Sequence, residues 1–148
     1  MKPRHVKPRT LILIYHYLAG LSDTCTGLLL LLAPVFTLHL MGVTELPSPL
    51  DYARYIGVFV LAVGATYLLI PAVVRDSPDA SAWWRAQWAV TALIRSLVAL
   101  FVLWQVALGA MEGAWIAVFF TDAVYAAIQL TGLRKHWLDG GRGRNLWS

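Results

Sequence analysis

The sequence contains few charged residues and a single cysteine. Charged residues make up 14% of its 148 residues, whereas roughly a quarter is usual in a soluble domain. The single Cys25 excludes an intrachain disulfide, a CxxC redox pair and a thiolate metal site. Inside an apolar segment, we expect this thiol to be a small buried residue. The sequence also lacks a zinc motif, a nucleotide-binding loop and a nucleophile elbow, so it carries no signature of a known enzyme class.

Long apolar segments are the main feature that the sequence does have. Alanine, the aliphatic and aromatic residues, methionine and cysteine make up 59% of the chain. Four stretches are each about 20 residues long, enough for a helix to cross about 30 Å of hydrocarbon. We predict an all-α polytopic membrane protein, a four-transmembrane-helix bundle in a single membrane domain over residues 1–148. The predicted helices span residues 11–33, 54–74, 86–108 and 114–133, and a flexible C-terminal tail spans residues 139–148.

The basic residues flank the apolar segments on one side. They occur in the N-terminal segment, between the second and third helices, and in the tail: Lys2, Arg4, Lys7, Arg9, Arg75, Arg85, Arg134, Lys135, Arg142 and Arg144. By the positive-inside rule, both termini face the cytoplasm. We therefore predict a multi-pass protein of the bacterial inner (plasma) membrane. Although the net charge is +4, this distribution does not indicate a nucleic-acid partner.

Tryptophan and tyrosine residues lie near the predicted helix ends. Those near the inner boundary are Trp83, Trp84, Trp88 and Trp137, and those near the outer boundary are Tyr52, Tyr55 and Trp115. Amphipathic rings are enriched at both membrane–water interfaces. We interpret both groups as interfacial belts rather than as a ligand cage.

Three apolar stretches carry a charged residue near the middle, and the fourth carries one at its start. These residues are Asp23, Arg95, Asp122 and, at the start of the second stretch, Arg54. A charge at the bilayer centre costs roughly 3 kcal/mol on insertion scales, so such residues usually face the interior and pair with each other. Counting from the predicted helix ends places the first three at a similar depth. Because arginine has five donors, we predict one intramembrane polar network that contains all four residues and is balanced in charge.

Polar and small residues recur at alternating spacings of three and four, which predicts one interior seam on each helix. The seams are His16, Gly20, Asp23 and Gly27; Arg54, Gly57, Leu61, Gly64 and Leu68; Thr91, Arg95, Val98, Val102 and Gln105; and Trp115, Phe119, Asp122, Ala126 and Gln129. Glycine on a seam lets backbones approach closely, and polar side chains hydrogen-bond across it.

His16 is the histidine that falls within a predicted helix and on a polar seam. A b-type haem normally needs two axial ligands at one depth, and no second histidine lies at that level. We therefore predict no haem or other cofactor and no metal, and we interpret His16 as a packing residue. An alternative interpretation is a ligand or proton site formed by His16, Asp23, Arg95 and Asp122.

Several landmarks occur in a recognisable order. They are Gly20 and Asp23, Pro34 followed by Leu40-Met41-Gly42, Tyr52-x-Arg54-x-x-Gly57, Gly64-x-x-Tyr67, Arg95 and Asp122. From about Tyr15 to Lys135 the chain resembles the DoxX-like group of small four-helix bacterial membrane proteins. The resemblance implies the four-helix fold and an association with quinol oxidases, thiosulfate:quinone oxidoreduction or redox homeostasis. It carries over no catalytic residue, and the lack of a cysteine pair argues against thiol redox chemistry.

Three functional hypotheses are consistent with the sequence. The first is a non-catalytic integral membrane protein, an accessory or structural subunit of a larger respiratory or photosynthetic complex. Its contacts would be membrane lipids and either partner subunits or further copies of itself. The second is a quinone-binding protein or another small membrane enzyme that uses the Asp/Arg/His site. The third is a small proton-coupled transporter with Asp23 as its acidic residue. The absence of a recognisable catalytic motif favours the first.

Overall fold

Five α-helices and one short 3-10 helix form the part of the chain that the computed structural model describes, residues 8–74 and 77–138. The α-helices are α1 (Pro8–Leu32), α2 (Pro34–Leu40), α3 (Asp51–Val73), α4 (Ala80–Ala107) and α5 (Ile116–Arg134), and the 3-10 helix is Gly113–Trp115. No strand occurs within these two ranges, so the predicted all-α class is confirmed for them. The predicted flexible tail at 139–148 and the basic residues Lys2, Arg4, Lys7 and Arg75 lie outside the described residues.

Within residues 8–74 and 77–138, three segments are long and apolar enough to cross a membrane. They are α3, α4 and the segment Gly113–Arg134, which includes the 3-10 helix and α5. With 25 residues, α1 is also long enough, since it extends for about 37 Å. Its middle carries His16, Asp23 and several hydroxyl groups, which lower its hydropathy. The four predicted spans thus correspond to four long helices, three of which have the hydropathy of a membrane span.

Three of the long helices, α1, α3 and α4, begin earlier than the apolar pattern predicts. α3 begins at Asp51 rather than residue 54, and α4 begins at Ala80 rather than residue 86. The apolar pattern marks only the part of a helix that would cross hydrocarbon, and the polar first turns lie beyond it. The seven-residue α2 was not predicted. It begins with Pro34, whose fixed φ and missing N–H suit the first turn of a helix.

α1 packs along α3 through glycine residues. A Cβ added to Gly57 would lie 2.9 Å from the carbonyl oxygen of Gly27, closer than real atoms pack. A Cβ added to Gly64 would lie 2.5 Å from the backbone nitrogen of Thr24. Position 27 therefore faces 57, and position 24 faces 64, so the two helices run antiparallel. Their backbones are in direct contact at these glycines, and there is no space between them for a side chain.

α4 packs along α5, also in the antiparallel direction. Gly132 lies beneath the ring of Trp88, where any Cβ would overlap the ring. Further along, Gln129 contacts Thr91. The molecule therefore consists of two helix pairs, α1–α3 and α4–α5, with side chains between them. Contact between α3 and α4 is sparse compared with the contact inside either pair.

An apolar cluster closes each end of the interior. The first comprises Ile12, Val74, Ala80, Trp84, Trp88 and Leu138, and the second comprises Leu30, Leu38, Val43 and Ala53. Ile12 precedes the polar residues of α1, and Leu30 follows them. The polar interior therefore lies between two apolar ends.

Three burial predictions are wrong. Trp84 and Trp88 are 0% and 1% exposed, and they pack in the first apolar cluster instead of forming a belt. Trp83 and Trp137 lie on the outer surface, as an interfacial belt requires. Cys25 is exposed rather than buried. Cys25 lies two residues after the seam residue Asp23, which corresponds to a rotation of about 200° around the helix axis. Its thiol therefore lies on the face opposite to the interior seam.

Candidate functional site

Arg95 is the centre of a buried ion triad. Its Nη2 donates to Oδ2 of Asp23, and its Nη1 donates to Oδ1 of Asp122 at 2.6 Å. The Arg95 side chain is 4% exposed, and the two carboxylate side chains are 12% and 16% exposed. The three residues belong to α1, α4 and α5. A single guanidinium group therefore connects the two helix pairs.

Aromatic rings complete the surroundings of the Arg95 guanidinium. Its central carbon lies 4.5 Å from the ring centre of Tyr125 and 5.9 Å from that of Tyr67. The negative face of an aromatic ring attracts a cation, so both rings add to the stabilisation that the carboxylates provide. The third guanidinium nitrogen, Nε, has no hydrogen-bond partner among the described residues.

Arg54 is not part of this triad, which corrects the prediction. It lies in the first turn of α3, where its Nη1 donates to Asp51 at 3.0 Å, and both side chains are exposed. Because the helix begins three residues earlier than predicted, Asp51 provides a local partner. The prediction of balanced charge is therefore also wrong. Two carboxylates share one guanidinium, so the triad carries one excess negative charge when both carboxylates are ionised.

Gln129 forms a second polar link between the helix pairs. Its Nε2 donates to the Tyr67 hydroxyl oxygen at 2.6 Å and to Thr91 Oγ1 at 2.7 Å. The Thr91 hydroxyl donates in turn to the carbonyl oxygen of Gln87 at 2.8 Å, so its oxygen is free to accept from Gln129. Gln129, Tyr67 and Thr91 are all buried. This one amide group therefore joins α3, α4 and α5.

His16 is buried but does not contact the triad. Its Nε2 lies 2.6 Å from the carbonyl oxygen of Tyr67, and a carbonyl can only accept, so Nε2 carries the hydrogen. The ring packs between those of Tyr67 and Trp84, with ring centres 4.9 Å and 4.3 Å away. Asp23 lies seven residues further along α1, a rise of about 10 Å. His16 therefore lies in the same interior as the triad, but its hydrogen bond is to the Tyr67 backbone and not to a triad residue.

Three tyrosines of the interior were missed by the seam analysis. Tyr67 is fully buried, whereas the predicted seam residue, Leu68, is half-buried. Tyr15 donates to the carbonyl oxygen of Tyr125 at 3.3 Å, and the two rings meet edge to face. A signal for Tyr67 existed, because it lies three residues after Gly64 and so on the same helix face. Tyr125 had the same kind of signal, because it lies three residues after Asp122 and four before Gln129. Tyr15 had no such spacing from a seam residue.

A group of interior polar side chains, the polar column, consists of His16, Asp23, Tyr67, Thr91, Arg95, Asp122 and Gln129; all are buried except Asp122, which is partly exposed. It lies between the two apolar clusters and connects all four long helices. Its members pair across helices, whereas His16 Nδ1, Arg95 Nε and Gln129 Oε1 have no hydrogen-bond partner among the described residues. Within residues 8–74 and 77–138, no group of three or more histidine, cysteine or carboxylate side chains is placed to hold a metal ion. The column can cross-link helices, and its triad can hold a proton.

A separate polar contact joins two loops at the end of the molecule nearest the second apolar cluster. The Glu112 carboxylate, between α4 and the 3-10 helix, accepts from the backbone N–H groups of Thr44 and Glu45 and from the Thr44 hydroxyl. These donors favour the ionised form, and the backbone N–H groups in particular lower the pKa of Glu112. The contact therefore ties the loop before α3 to the loop before α5.

Comparison with known proteins does not identify the chain. No protein-family model matches it, and neither the curated proteins nor the solved structures yield a match. The resemblance to the DoxX-like group stays a prediction from the residues named above. The protein is thus defined by its own fold, a helical chain with three helices long and apolar enough to cross a membrane and a buried polar column.

Proposed function

We propose that this chain is a four-helix integral membrane protein of the DoxX-like type in a bacterial inner membrane, with both termini in the cytoplasm. We further propose that it is a non-catalytic accessory subunit of a larger membrane complex. Three helices of sufficient length and hydropathy support the membrane assignment. The concentration of lysine and arginine in alternate connections supports the orientation.

The polar column carries the proposal of a structural role, because an apolar cluster lies beyond each of its ends. Its two carboxylates are only 12% and 16% exposed. Transport needs a polar route that reaches a surface, and catalysis needs an opening for substrate. Here Ile12 and Trp84 lie beyond one end of the column, and Leu30 and Val43 lie beyond the other. Inside, Nη1 and Nη2 of Arg95 and Nε2 of Gln129 donate to residues of other helices. This arrangement supports a role in fixing which helix packs on which.

The outer surface supports contacts with lipid and partner helices. The outward face of α4 carries large exposed apolar side chains, namely Leu93, Leu97, Leu100, Phe101 and Trp104. Contiguous apolar surface of this kind marks membrane or protein contacts. An accessory subunit would use such faces for docking, while the polar column keeps the four helices in register.

Asp122 offers the experiment that separates packing from chemistry. Asp122→Asn keeps the shape and one acceptor oxygen but removes the group that titrates. A structural role predicts a folded variant that still co-purifies with its partner complex in mild detergent and complements a deletion strain. The exposed Asp51→Asn is the matched control. Normal protein levels with a complete loss of complementation would contradict the proposal.

Reporter fusions test the proposed orientation independently. Alkaline phosphatase fused after Ser148 should be inactive, because it would remain in the cytoplasm. The same enzyme fused near Ser48, between α2 and α3, should be active. The reverse pattern would overturn the orientation, and two active fusions would overturn the four-span topology.

Proton coupling is a second candidate function, and the charge of the triad favours it. With both carboxylates ionised, Asp23 and Asp122 exceed the single charge of Arg95 by one. Both carboxylates share the one guanidinium, so one bound proton would make the triad neutral. In liposomes that enclose a pH-sensitive dye, the wild type would then dissipate a pH gradient, and Asp23→Asn would not. Gradient decay that is unchanged by the wild-type protein would exclude proton conduction through the triad without a co-substrate.

A further inference from the structure

An open groove of about 380 Å³ runs between α3 and α4. Its walls are mainly apolar and include Phe59, Ala62, Val63, Val90 and Ile94. A second cavity of about 260 Å³ adjoins it and shares Thr66, Ile70 and Trp83. Sites for small molecules usually have volumes of roughly 300–1,000 Å³. The groove therefore has the size of a ligand site and the lining of one that receives an apolar body.

Among the polar side chains that line this groove, Thr66 and Gln87 each provide a hydrogen-bond acceptor. The Thr66 hydroxyl donates its one hydrogen to the carbonyl oxygen of Val63 at 2.7 Å, so its oxygen can only accept. The Gln87 amide must then face Thr66 with its nitrogen, and Nε2 does lie 3.4 Å from Thr66 Oγ1. This orientation leaves Gln87 Oε1 without a partner among the described residues, in a residue only 7% exposed.

These two acceptors favour a molecule that can donate a hydrogen bond. Phospholipid ester carbonyls are acceptors themselves and cannot satisfy either group. A hydroxyl group can. The 3.4 Å contact between Gln87 and Thr66 is longer than an ordinary hydrogen bond, and the terminal torsion of glutamine is soft. Rotation of the amide about this torsion would bring Oε1, which is buried in this structure, towards a donor in the groove.

We propose that the groove between α3 and α4 binds a lipophilic alcohol or phenol taken from the bilayer. The hydroxyl donates to Gln87 Oε1 or Thr66 Oγ1, and the apolar body lies along Phe59, Val90 and Ile94. The inference rests on the proposed membrane placement, because the groove would open towards the lipid. It is independent of the structural role proposed for the polar column.

Photolabelling with two matched probes tests this site. The full-length protein in phospholipid nanodiscs is exposed to a diazirine-bearing hexadecanol or to its O-methyl ether, which has the same tail but no donor. The labelled peptides are identified by mass spectrometry. We expect labels within residues 59–70 and 83–94, with the alcohol about fivefold more efficient, the value of one ordinary hydrogen bond. Equal labelling by the two probes would overturn the proposal.

Variants of the two acceptors provide the matched test. Gln87→Met combined with Thr66→Val should reduce labelling by the alcohol to the level of the ether. The control pair, Gln105→Met with Thr121→Val, changes the same residue types outside the groove and should preserve the preference. If the control pair has the same effect as the groove pair, the preference does not arise in the groove.

A third variant blocks the groove without altering either acceptor. Ala62→Trp fills the space from the exposed side of α3 and should abolish labelling by both probes. Labelling of these peptides that persists in Ala62→Trp would overturn the proposal. The same labelling is also carried out in native membranes. If it is absent there because another helix covers the groove, the proposal is likewise overturned. If the reporter fusions still gave the expected pattern, only the proposed ligand site would be overturned, and the proposed membrane placement would stand.

Discussion

Arg95 on α4 donates to Asp23 on α1, which lies 72 residues earlier in the chain. The same guanidinium also binds Asp122 on α5. Because α1 belongs to one helix pair and α4 and α5 to the other, this contact joins two parts that are otherwise assembled through their own packing. Arg95 therefore stabilises the packing of the α1–α3 pair against the α4–α5 pair.

Loss of Arg95 should destabilise the protein strongly. Arg95→Ala would leave Asp23 and Asp122 buried without a counter-charge, and removing one partner of a buried ion pair costs roughly 3–5 kcal/mol. The melting temperature in detergent measures the effect. Adding Asp23→Asn should recover part of the loss, since one of the two orphaned charges is removed.

Arg54→Ala is the natural control for that substitution. Its side chain is 46% exposed, and its partner Asp51 lies three residues away on the same helix. Exposed pairs of this kind contribute at most about 1 kcal/mol. If Arg95→Ala and Arg54→Ala melted at the same temperature, the buried triad would not be the source of stability.

The hydroxyl of Tyr67 should contribute to stability through Gln129. Tyr67→Phe keeps the ring but removes the oxygen that accepts from Gln129 Nε2. An unsatisfied buried polar group costs about 1–3 kcal/mol, so we expect a loss of that size in thermal or denaturant unfolding. Tyr55→Phe makes the same change on the outer surface and should be close to neutral.

The contact between α1 and α3 should not tolerate a methyl group at Gly27. Alanine normally favours a helix over glycine by about 1 kcal/mol. At position 27, however, the Cβ would lie 2.7 Å from the Gly57 carbonyl oxygen. We expect Gly27→Ala to lose about 3 kcal/mol of stability because the helices must separate.

Gly113→Ala makes the same change where no atom lies within 4 Å. Its effect should remain within about 0.5 kcal/mol. A folded Gly27→Ala protein that is as stable as Gly113→Ala would contradict the close packing of α1 on α3. Unfolding monitored by circular dichroism in detergent distinguishes the two variants.

The loop contact at Glu112 should give a pH-dependent contribution to stability. Hydrogen bonds from Thr44 and Glu45 lower the pKa of Glu112 in the folded state. A group with a lowered folded pKa stabilises the protein above its unfolded pKa, about 4.3 for glutamate, and this contribution is lost as the pH falls through the folded pKa. Glu112→Gln should therefore melt below the wild type at pH 7, and the difference should shrink below about pH 4.

Glu45→Gln is the control for this pH effect, because Glu45 contributes its backbone N–H, which the substitution keeps. Its melting temperature should follow that of the wild type across the same pH range. A Glu112→Gln difference that is constant from pH 7 to pH 3.5 would show that the carboxylate charge is not involved.

The depth of the three interior charges could be predicted because two simple rules determine it. Helical rise converts sequence position into depth, and a buried charge requires a partner. Counting along the chain therefore placed Asp23, Arg95 and Asp122 at one level, and the structure brings them together. The same rules gave a wrong prediction for Arg54, because it lies at the start of a helix, where Asp51 is a local partner.

Lateral position was harder to predict than depth. The tryptophans near the start of α4 suit both an interface and a core, and composition does not say which face is covered. Trp84 and Trp88 are buried because Ile12 of α1 and Leu138 lie over them. Tyr67 was missed for a related reason, since a seam of alternating threes and fours allows either 67 or 68 to point inward.

Backbone contact between α1 and α3 also bears on how the molecule can move. Helices whose main chains touch cannot slide past each other without atomic overlap, so α1 and α3 should behave as a rigid body. The sparse contact between α3 and α4 offers much less resistance. We therefore expect thermal fluctuations to appear as a rocking of one helix pair against the other, and its amplitude to be limited by Arg95. Distance measurements between spin labels on the outer faces of α3 and α4 would record that rocking directly.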